Sequence, residues 1–340
     1  MMRLGIIGSG NLGTALAKVL SDKHKVLLYD VDLHVVSEIN SRHTNSKYLP
    51  GVKLNKNICA SCNISLIKNV DLILIAVPSR FINSICSVLR PHYNGQIILS
   101  FTKGLSDHGK VMTDVITKEL NCYPSRVLAV SGPCIATELA AGKPTLLMIG
   151  GKKPIANKIC RYLETEHFFI KTTSDKKGIQ LLGFYKNIIA ILVGICEGIG
   201  LGHNFESSLM TRAYNEFYHL NARTNIKRHT FVSPAGLGDL YVTAMSTKSR
   251  NRTFGYLIGK GMSVKAAQKR IGQTIEGYDN LLLLNHMRHK PFIDADLVEL
   301  LIDITSKKKT KNQITKLMLK YLYKYRARTL EEFILPMQMP

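Results

Sequence analysis

Residues 4–20, LGIIGSGNLGTALAKVL, decide the fold. Leu4 to Ile7 is a short apolar run, the pattern of a parallel strand buried on both faces. It enters Gly8-Ser9-Gly10-Asn11-Leu12-Gly13, a GxGxxG, after which TALAKVL carries helical spacing. Glycines there permit a tight turn, approach of backbone to a pyrophosphate, and close packing of helix on strand. The helix N-terminus then faces the phosphates. GxGxxG alone is a weak signal, and a decorative glycine turn is the alternative. The context sharpens it: a second strand, Lys25 to Tyr29, ends at Asp30, seventeen residues beyond Gly13. An acid so placed bonds the adenosine ribose hydroxyls of a dinucleotide.

Working outward, the alternation continues. Strands are expected at Leu72–Val77, Gln96–Phe101, Arg126–Val130, Thr145–Ile149 and Phe168–Lys171. In an open parallel sheet, ligands sit beyond the carboxyl ends of the strands. Lys103 and the Ser131-Gly132-Pro133 turn both fall there, although Lys103 also reads as an ordinary loop lysine. After Leu182 the strand signals stop. Helices are expected at Phe205–Asn221, Thr253–Lys260, Ser263–Ile271, Asn280–Arg288, Ala295–Ile304 and Lys311–Tyr325. The fold class is therefore α/β: an N-terminal Rossmann-type doubly wound sheet followed by an all-α C-terminal domain. The boundaries are 1–184 for the dinucleotide-binding domain, 185–330 for the helical substrate-binding domain, and 331–340 for a loose tail.

The helical half opens with residues 178–202, GIQLLGFYKNIIAILVGICEGIGLG. At helical spacing Ile179, Leu182, Lys186, Ile189, Val193 and Cys196 share or adjoin one face. Lys186 thus stands in an apolar stripe beside Asn187. A desolvated, unpaired ammonium is costly, so this lysine needs a polar cleft or a partner. Burial also favours the neutral amine, which can exchange protons. The alternative is a lysine snorkelling to the surface of a core helix. The apolar run after Asn187, nine residues long, is too short to span a bilayer, so no integral membrane segment is expected.

Further on, Pro234-Ala-Gly-Leu-Gly-Asp239-Leu, Thr243, and Ser249-Arg250-Asn251-Arg252 interrupt the helical pattern. Glycine turns with a lone Asp, then Ser-Arg-Asn-Arg opening a helix, make a small-anion receptor. Arg offers phosphate a two-pronged fork, and Ser and Asn add donors. A capping Ser with solvated arginines is the plainer reading. Ile275-Glu276-Gly277-Tyr278 adds an acid between turn residues.

The totals set bounds. A chain of 340 residues has length for two domains, and its 45% hydrophobic and 21% charged content is that of ordinary globular proteins. Its seven cysteines lack regular spacing and read as reduced thiols. Cys59 and Cys62 form a CxxC without a second pair, so no metal is expected. The N-terminus runs directly into a strand, so no signal peptide and a cytoplasmic location are expected. A net charge of +22 would suit nucleic acid or a membrane surface. Only +6 of it is concentrated, in the last forty residues, and the rest is spread along helices. A spread charge reads as a solvated surface that helps collect anionic ligands, not as a nucleic-acid groove.

Taken together, the pieces resemble the bacterial-type NAD(P)-dependent glycerol-3-phosphate dehydrogenases. The matching segments are GSGNLGTALA, YLPGVKL, AVPS, TKGL, SGPCIATELAAGKPT, GIQLLGFYKNIIAI, Thr211-Arg212, PAGLGDLYVT, SRNRTFG and IEGY. They run in the family's order over residues 3 to 325, nearly the whole chain. The resemblance implies Lys186 as general acid/base, with Lys103 and Asp239 orienting the reacting oxygen and the lysine. It implies substrate contacts from Lys103, Gly132, Cys134, Lys186, Asp239, Ser249, Arg250 and Asn251. The phosphate would lie near Arg250 and Asn251. The cofactor, NAD with NADP also possible, would meet Gly8, Gly10, Asn11, Leu12, Gly13, Asp30, Lys103, Ala136, Arg250, Ile275 and Glu276. A phosphorylated small-molecule substrate, use in glycerophospholipid synthesis and a homodimer follow from the same resemblance.

The chain departs from the family pattern at four places. Cys134 stands where Thr or Ser is usual, Leu12 where a larger aromatic is common, and Phe184 and Tyr185 where aliphatic residues are smaller. The lysine run Lys307–Lys309 is this chain's own. Two rivals remain: a dehydrogenase of the same build acting on β-hydroxyacids or ketopantoate, and a basic nucleotide- or nucleic-acid-binding protein that kept a Rossmann domain.

Overall fold

The computed structural model describes residues 1–220, 225–287 and 296–326. The expected tail 331–340, the expected domain end at 330, and the expected helix ends at Asn221, Arg288 and Ala295 lie outside the described residues.

Eight strands form one sheet: β1 (Arg3–Ile7), β2 (Lys25–Tyr29), β3 (Ile58–Ser61), β4 (Leu72–Ile75), β5 (Ile97–Ser100), β6 (Val127–Ser131), β7 (Thr145–Gly150) and β8 (Phe168–Thr173). Their order is β3-β2-β1-β4-β5-β6-β7-β8. All neighbours are parallel except β6 and β7. Because β2 and β4 flank β1, the strand order reverses at the end of β1. The glycine loop therefore leaves the sheet at its topological switch point.

Alternation along each strand builds two cores. In β4, Leu72 and Leu74 join the cluster on one face, and Ile73 and Ile75 join the cluster on the other. Both faces are covered, which is why LILI is continuously apolar. Strand β3 had no such signal. Its outer edge is closed instead by Asn40, whose side chain exchanges two hydrogen bonds with the Ala60 backbone, each 2.8 Å.

The helices, in chain order, are α1 (Asn11–Leu20), α2 (Leu33–Arg42), α3 (Ile82–Leu89), α4 (Met112–Glu119), α5 (Ala136–Ala140), α6 (Lys153–Leu163), α7 (Lys176–Ile199) and α8 (His203–Leu220). Then come α9 (Arg228–Phe231), α10 (Asp239–Met245), α11 (Arg250–Gly259), α12 (Val264–Ile271), α13 (Glu276–His286), α14 (Asp296–Ser306) and α15 (Lys311–Arg326). The chain divides into two compact units. The first is Met1–Phe184 with Ile226–Val242; the second takes the described residues of Tyr185–Asn225 and Thr243–Pro340. A single cut after residue 184 was expected. The segment Ile226–Val242, with the PAGLG turn, instead belongs with the sheet.

Helix α7, 24 residues long, is long and apolar enough to cross a membrane by length and composition, with a mean hydropathy of 1.8 over an 18-residue stretch. In the protein 94% of that stretch is buried. It is a core helix, and the stretch is apolar because it is buried. In the second unit it lies against α11 through four glycines. A Cβ on Gly194 would stand 2.1 Å from the Arg252 carbonyl oxygen, and one on Gly198 2.3 Å from that of Tyr256. From the other side, a Cβ on Gly255 would meet the Ile191 oxygen at 2.1 Å, and one on Gly259 the Ile195 oxygen at 2.4 Å. The two backbones touch, with no room for a methyl group.

Candidate active site

In the first unit the glycine loop is held from three sides. Gly8 adopts φ +100°, a conformation that suits glycine, and its N–H donates to the Tyr29 carbonyl at 2.9 Å. Gly13 lies so close to the loop that a Cβ would stand 1.9 Å from the Gly8 oxygen. At Gly10, which precedes α1, nothing lies within 4 Å of where a Cβ would be. The cradle a pyrophosphate needs is thus open at Gly10, with Asn11 and Leu12 following on the first turn of α1. Asp30, at the end of β2, accepts from the Ser9 N–H at 2.7 Å and from the Asp32 N–H at 3.0 Å. Its carboxylate is therefore fixed beside the glycine loop, as a ribose-reading acid must be. The residues present fit a dinucleotide.

Asn45, buried in the loop after α2, donates from Nδ2 to the Ser9 carbonyl at 2.8 Å and to Thr14 Oγ1 at 2.9 Å. Thr14 Oγ1 itself donates to the same Ser9 carbonyl at 2.8 Å. Sequence reading did not single out Asn45, because it lies 36 residues from Ser9 and outside the glycine motif.

At the carboxyl ends of β5 and β6 the same unit builds a charged pair. The Thr102 hydroxyl donates to the Val77 carbonyl at 2.9 Å and fixes the strand exit. Lys103 Nζ then donates to Asp239 Oδ2 at 2.6 Å, and Ser131 Oγ donates to the same oxygen at 3.3 Å. Asp239 is only 1% exposed. It opens α10 directly after one π-helical turn, Pro234–Gly238. That turn is pressed onto α9, since a Cβ on Gly236 would stand 2.3 Å from the Phe231 oxygen. So the glycines of PAGLGD serve to deliver a buried aspartate. Lys103, Ser131, Gly132, Cys134 and Leu12 line one recess with Phe101, Val130 and Leu147. Gly183 on α7 leaves room for it: a Cβ there would meet Ser131 Oγ at 3.0 Å and Lys103 Cδ at 3.3 Å. Ala136 is half-buried at the start of α5.

In the second unit Lys186 is 7% exposed, and its Nζ donates to Thr243 Oγ1 at 2.6 Å. It does not snorkel out; it has a partner inside. Tyr185 before it stacks on Phe217 with ring centroids 3.7 Å apart. Burial, first, and nearby Glu216 push the Tyr185 hydroxyl well above the ordinary range, so it stays a neutral phenol. Asn187 begins a chain of amide contacts. Asn251 Nδ2 donates to Asn187 Oδ1 at 2.9 Å, Asn187 Nδ2 approaches Glu276 Oε2 at 3.4 Å, and the Gly277 N–H donates to Asn251 Oδ1 at 2.9 Å. These amide orientations follow from the bonding network.

The Ser-Arg-Asn-Arg run divides its labour. Ser249 caps α11, accepting from the Arg252 N–H at 3.3 Å. Arg252 bonds Glu197 on α7 at 2.6 Å. Asn251 is buried in the amide chain. Arg250 is exposed, with one guanidinium nitrogen 3.4 Å from Gln273 Oε1. Of the two arginines, then, Arg250 is presented outward and Arg252 serves the helix pair. Ile275 is buried at 4% exposure, and Glu276 starts α13 half-buried. Among the described residues, no three His, Cys, Asp or Glu side chains converge as a metal set.

Comparison with known proteins matches two family models along the chain. Residues 3–156 match the model of the NAD-dependent glycerol-3-phosphate dehydrogenase N-terminus, and residues 175–316 that of its C-terminus. The chain is 36% identical over 281 residues to the glycerol-3-phosphate dehydrogenase [NAD(P)+] of Carboxydothermus hydrogenoformans, covering 81% of this chain and 84% of that one. It is 35% identical over 326 residues to the enzyme of that name from Clostridium botulinum, covering 94% and 98%. Among solved structures, glycerol-3-phosphate dehydrogenase from Coxiella burnetii aligns with a TM-score of 0.88 at 32% identity, over 94% of this chain and 98% of that one. A glycine loop with its acid, a lysine–aspartate pair and a buried helical lysine thus lie in a chain matched over most of its length, and the chain belongs to the NAD-dependent glycerol-3-phosphate dehydrogenase family.

Proposed function

We propose that the chain catalyses reversible hydride transfer between NAD(P)H and dihydroxyacetone phosphate, giving sn-glycerol 3-phosphate. The observation that carries this reading is Lys186, an ammonium buried in an apolar helix and held at 2.6 Å by Thr243. When bound, the nicotinamide cofactor supplies the hydride. Lys186 gives a proton to the ketone oxygen in reduction and takes it back in oxidation. Thr243 fixes the direction in which that ammonium points. Lys103, fixed in turn by Asp239, donates toward the reacting oxygen. Gly132, Cys134, Ser249 and Asn251 complete the substrate contacts, and Arg250 offers its outward fork to the phosphate. The cofactor is met by Gly8, Gly10, Asn11, Leu12, Gly13, Asp30 and Ala136, with Ile275 and Glu276 from the start of α13. On this reading the product feeds glycerophospholipid synthesis, and the enzyme works in the cytoplasm as a homodimer; sedimentation measures the last point.

The test is oxidation of NADH by the purified protein with dihydroxyacetone phosphate, beside a panel of unphosphorylated ketones and 2-keto acids. Turnover confined to the phosphorylated ketone supports the reading. Turnover with a keto acid instead would favour a related dehydrogenase, and salt-sensitive nucleic-acid retention without any turnover would favour a binding protein. Arg250→Ala refines the assignment. It should lower catalytic efficiency with dihydroxyacetone phosphate by ~10–100-fold, the worth of a charge-assisted hydrogen bond. It should hardly change the poor efficiency with dihydroxyacetone, which has no phosphate to hold. An equal loss with both ketones would assign Arg250 to the cofactor or the fold.

A further inference from the structure

No Lys or Arg occurs between Tyr29 and Ser41, so the sequence beside Asp30 has no cation to meet a ribose 2′-phosphate. The fold brings one from the next loop. Helix α2 ends at His43 in a left-handed conformation, φ +53°. Residues 44–47 then form a short arm whose shape is set by side chains. Glu38 Oε1 accepts from Thr44 Oγ1 and from the Ser46 N–H, both at 2.8 Å, and Oε2 accepts from Ser46 Oγ at 2.9 Å. Asn45 ties the same arm to the Ser9 carbonyl of the glycine loop.

From this anchored arm Lys47 reaches back to Asp32, with Nζ 2.7 Å from Oδ2. Asp32 in turn donates its N–H to Asp30 Oδ1, so the ammonium is linked to Asp30 through Asp32. The Lys47 side chain is 54% exposed. An exposed ion pair is weak and readily exchanged, and a phosphate dianion is a better partner for an ammonium than a single solvated carboxylate. Both Asp30 oxygens already accept backbone N–H groups, which offsets part of the charge a 2′-phosphate would face.

We propose that Lys47 is the residue through which this chain accepts NADP(H), by exchanging Asp32 for the ribose 2′-phosphate. Asp30 keeps NADH the preferred partner, and Lys47 sets how far that preference goes. The inference rests on the reading of the first unit as a nicotinamide dinucleotide site.

The probes are adenosine 2′,5′-bisphosphate and adenosine 5′-monophosphate, bound to the full chain and measured by calorimetry. The readout is the ratio of their affinities. K47Q should lower the bisphosphate-to-monophosphate ratio about tenfold, within the span of a charge-assisted contact, and K47R should preserve most of it. D32N should raise the ratio, because Asn still caps α2 while Lys47 is released. Glu38 and Asn45, not Lys47, shape the arm, so K47Q should fold as the parent does. In turnover, the ratio of NADPH to NADH efficiencies should fall in parallel. An unchanged binding ratio in K47Q, or a lowered one in D32N, overturns the inference. If the binding ratio moves as expected but no ketone is reduced with either nucleotide, the inference stands and the proposed function falls.

Discussion

Lys186 shows how a single residue can be legible while its chemistry is not. A charge in an apolar helical stripe announces either a partner or a surface, and the sequence alone left both open. The partner is Thr243, 57 residues away, and no spacing rule connects the two. Replacing Lys186 with Met keeps the bulk of the stem and removes the proton donor. Turnover should drop by ~10²–10⁴, the usual span of general acid–base catalysis, with NADH affinity largely kept. Thr243→Val preserves shape and deletes the hydrogen bond from the Lys186 ammonium, so it should lower kcat by a smaller factor, ~10-fold, the low end of what a hydrogen bond to a charged group is worth. Steady-state kinetics with binding titrations check both variants. A Lys186→Met enzyme turning over within a few-fold of its parent would return the lysine to a structural role. Of the Ser-Arg-Asn-Arg run, too, only the residue types could be read in advance. That Arg252 would spend its charge on Glu197 while Arg250 faces outward depends on which helix lies alongside.

That helix pair is the feature of greatest consequence among the elements. Gly194 and Gly198 on α7, and Gly255 and Gly259 on α11, are each four residues apart, one turn of helix. Each glycine costs up to ~1 kcal/mol of helix propensity against alanine. The return is a backbone-to-backbone approach that fixes Asn251, near the start of α11, against Asn187 on α7. Gly255→Ala would drive a methyl into the Ile191 carbonyl, and should destabilise the fold by ~2–3 kcal/mol despite its better helix propensity. Urea unfolding measures this, and an unchanged or raised midpoint would contradict the packing described. The helices were readable as helices because their apolar periodicity is strong. Their pairing was not, since glycines are silent about which neighbour they admit. Strand β3 was missed for a related reason: ICAS has no run or alternation long enough to register, and its edge is made by Asn40 from another element.

Over the whole molecule, the sequence carried the α/β half followed by helices and the place of the glycine loop. It did not carry the antiparallel turn of β7, nor the return of Ile226–Val242 to the first unit, which are matters of topology. Long-range contacts also set the response to pH. His24, buried just before β2, accepts the Met2 N–H on Nδ1 at 3.2 Å and donates from Nε2 to the carbonyl of Tyr162 on α6 at 2.8 Å. That pattern needs the neutral ring. Burial pushes the His24 pKa below the usual 6.5, against the opposing pull of the Tyr162 bond. A folded pKa below the unfolded one means that the unfolded chain binds the proton first as pH falls. The stabilisation is therefore intact above about pH 6.5 and is lost as pH falls from there through the lower folded value. Urea midpoints taken from pH 7 down to pH 5 should fall, and the fall should be shallower in His24→Gln. Parallel slopes in the two proteins would show that other groups carry the effect.

The chain crosses between the two units three times: inside α7 between Phe184 and Tyr185, between Asn225 and Ile226, and inside α10 between Val242 and Thr243. The first and last crossings lie within helices, where Phe184 and Tyr185 are both buried, and only at the second is the chain exposed and non-helical, at Asn225. Expressing residues 1–184 alone would leave a helix severed in mid-course and would omit Asp239, the partner of Lys103. Dissecting this enzyme into halves by a stop codon after residue 184 should thus yield an insoluble fragment. A nucleotide-binding module cut from this chain would have to carry Ile226–Val242 grafted back across the gap.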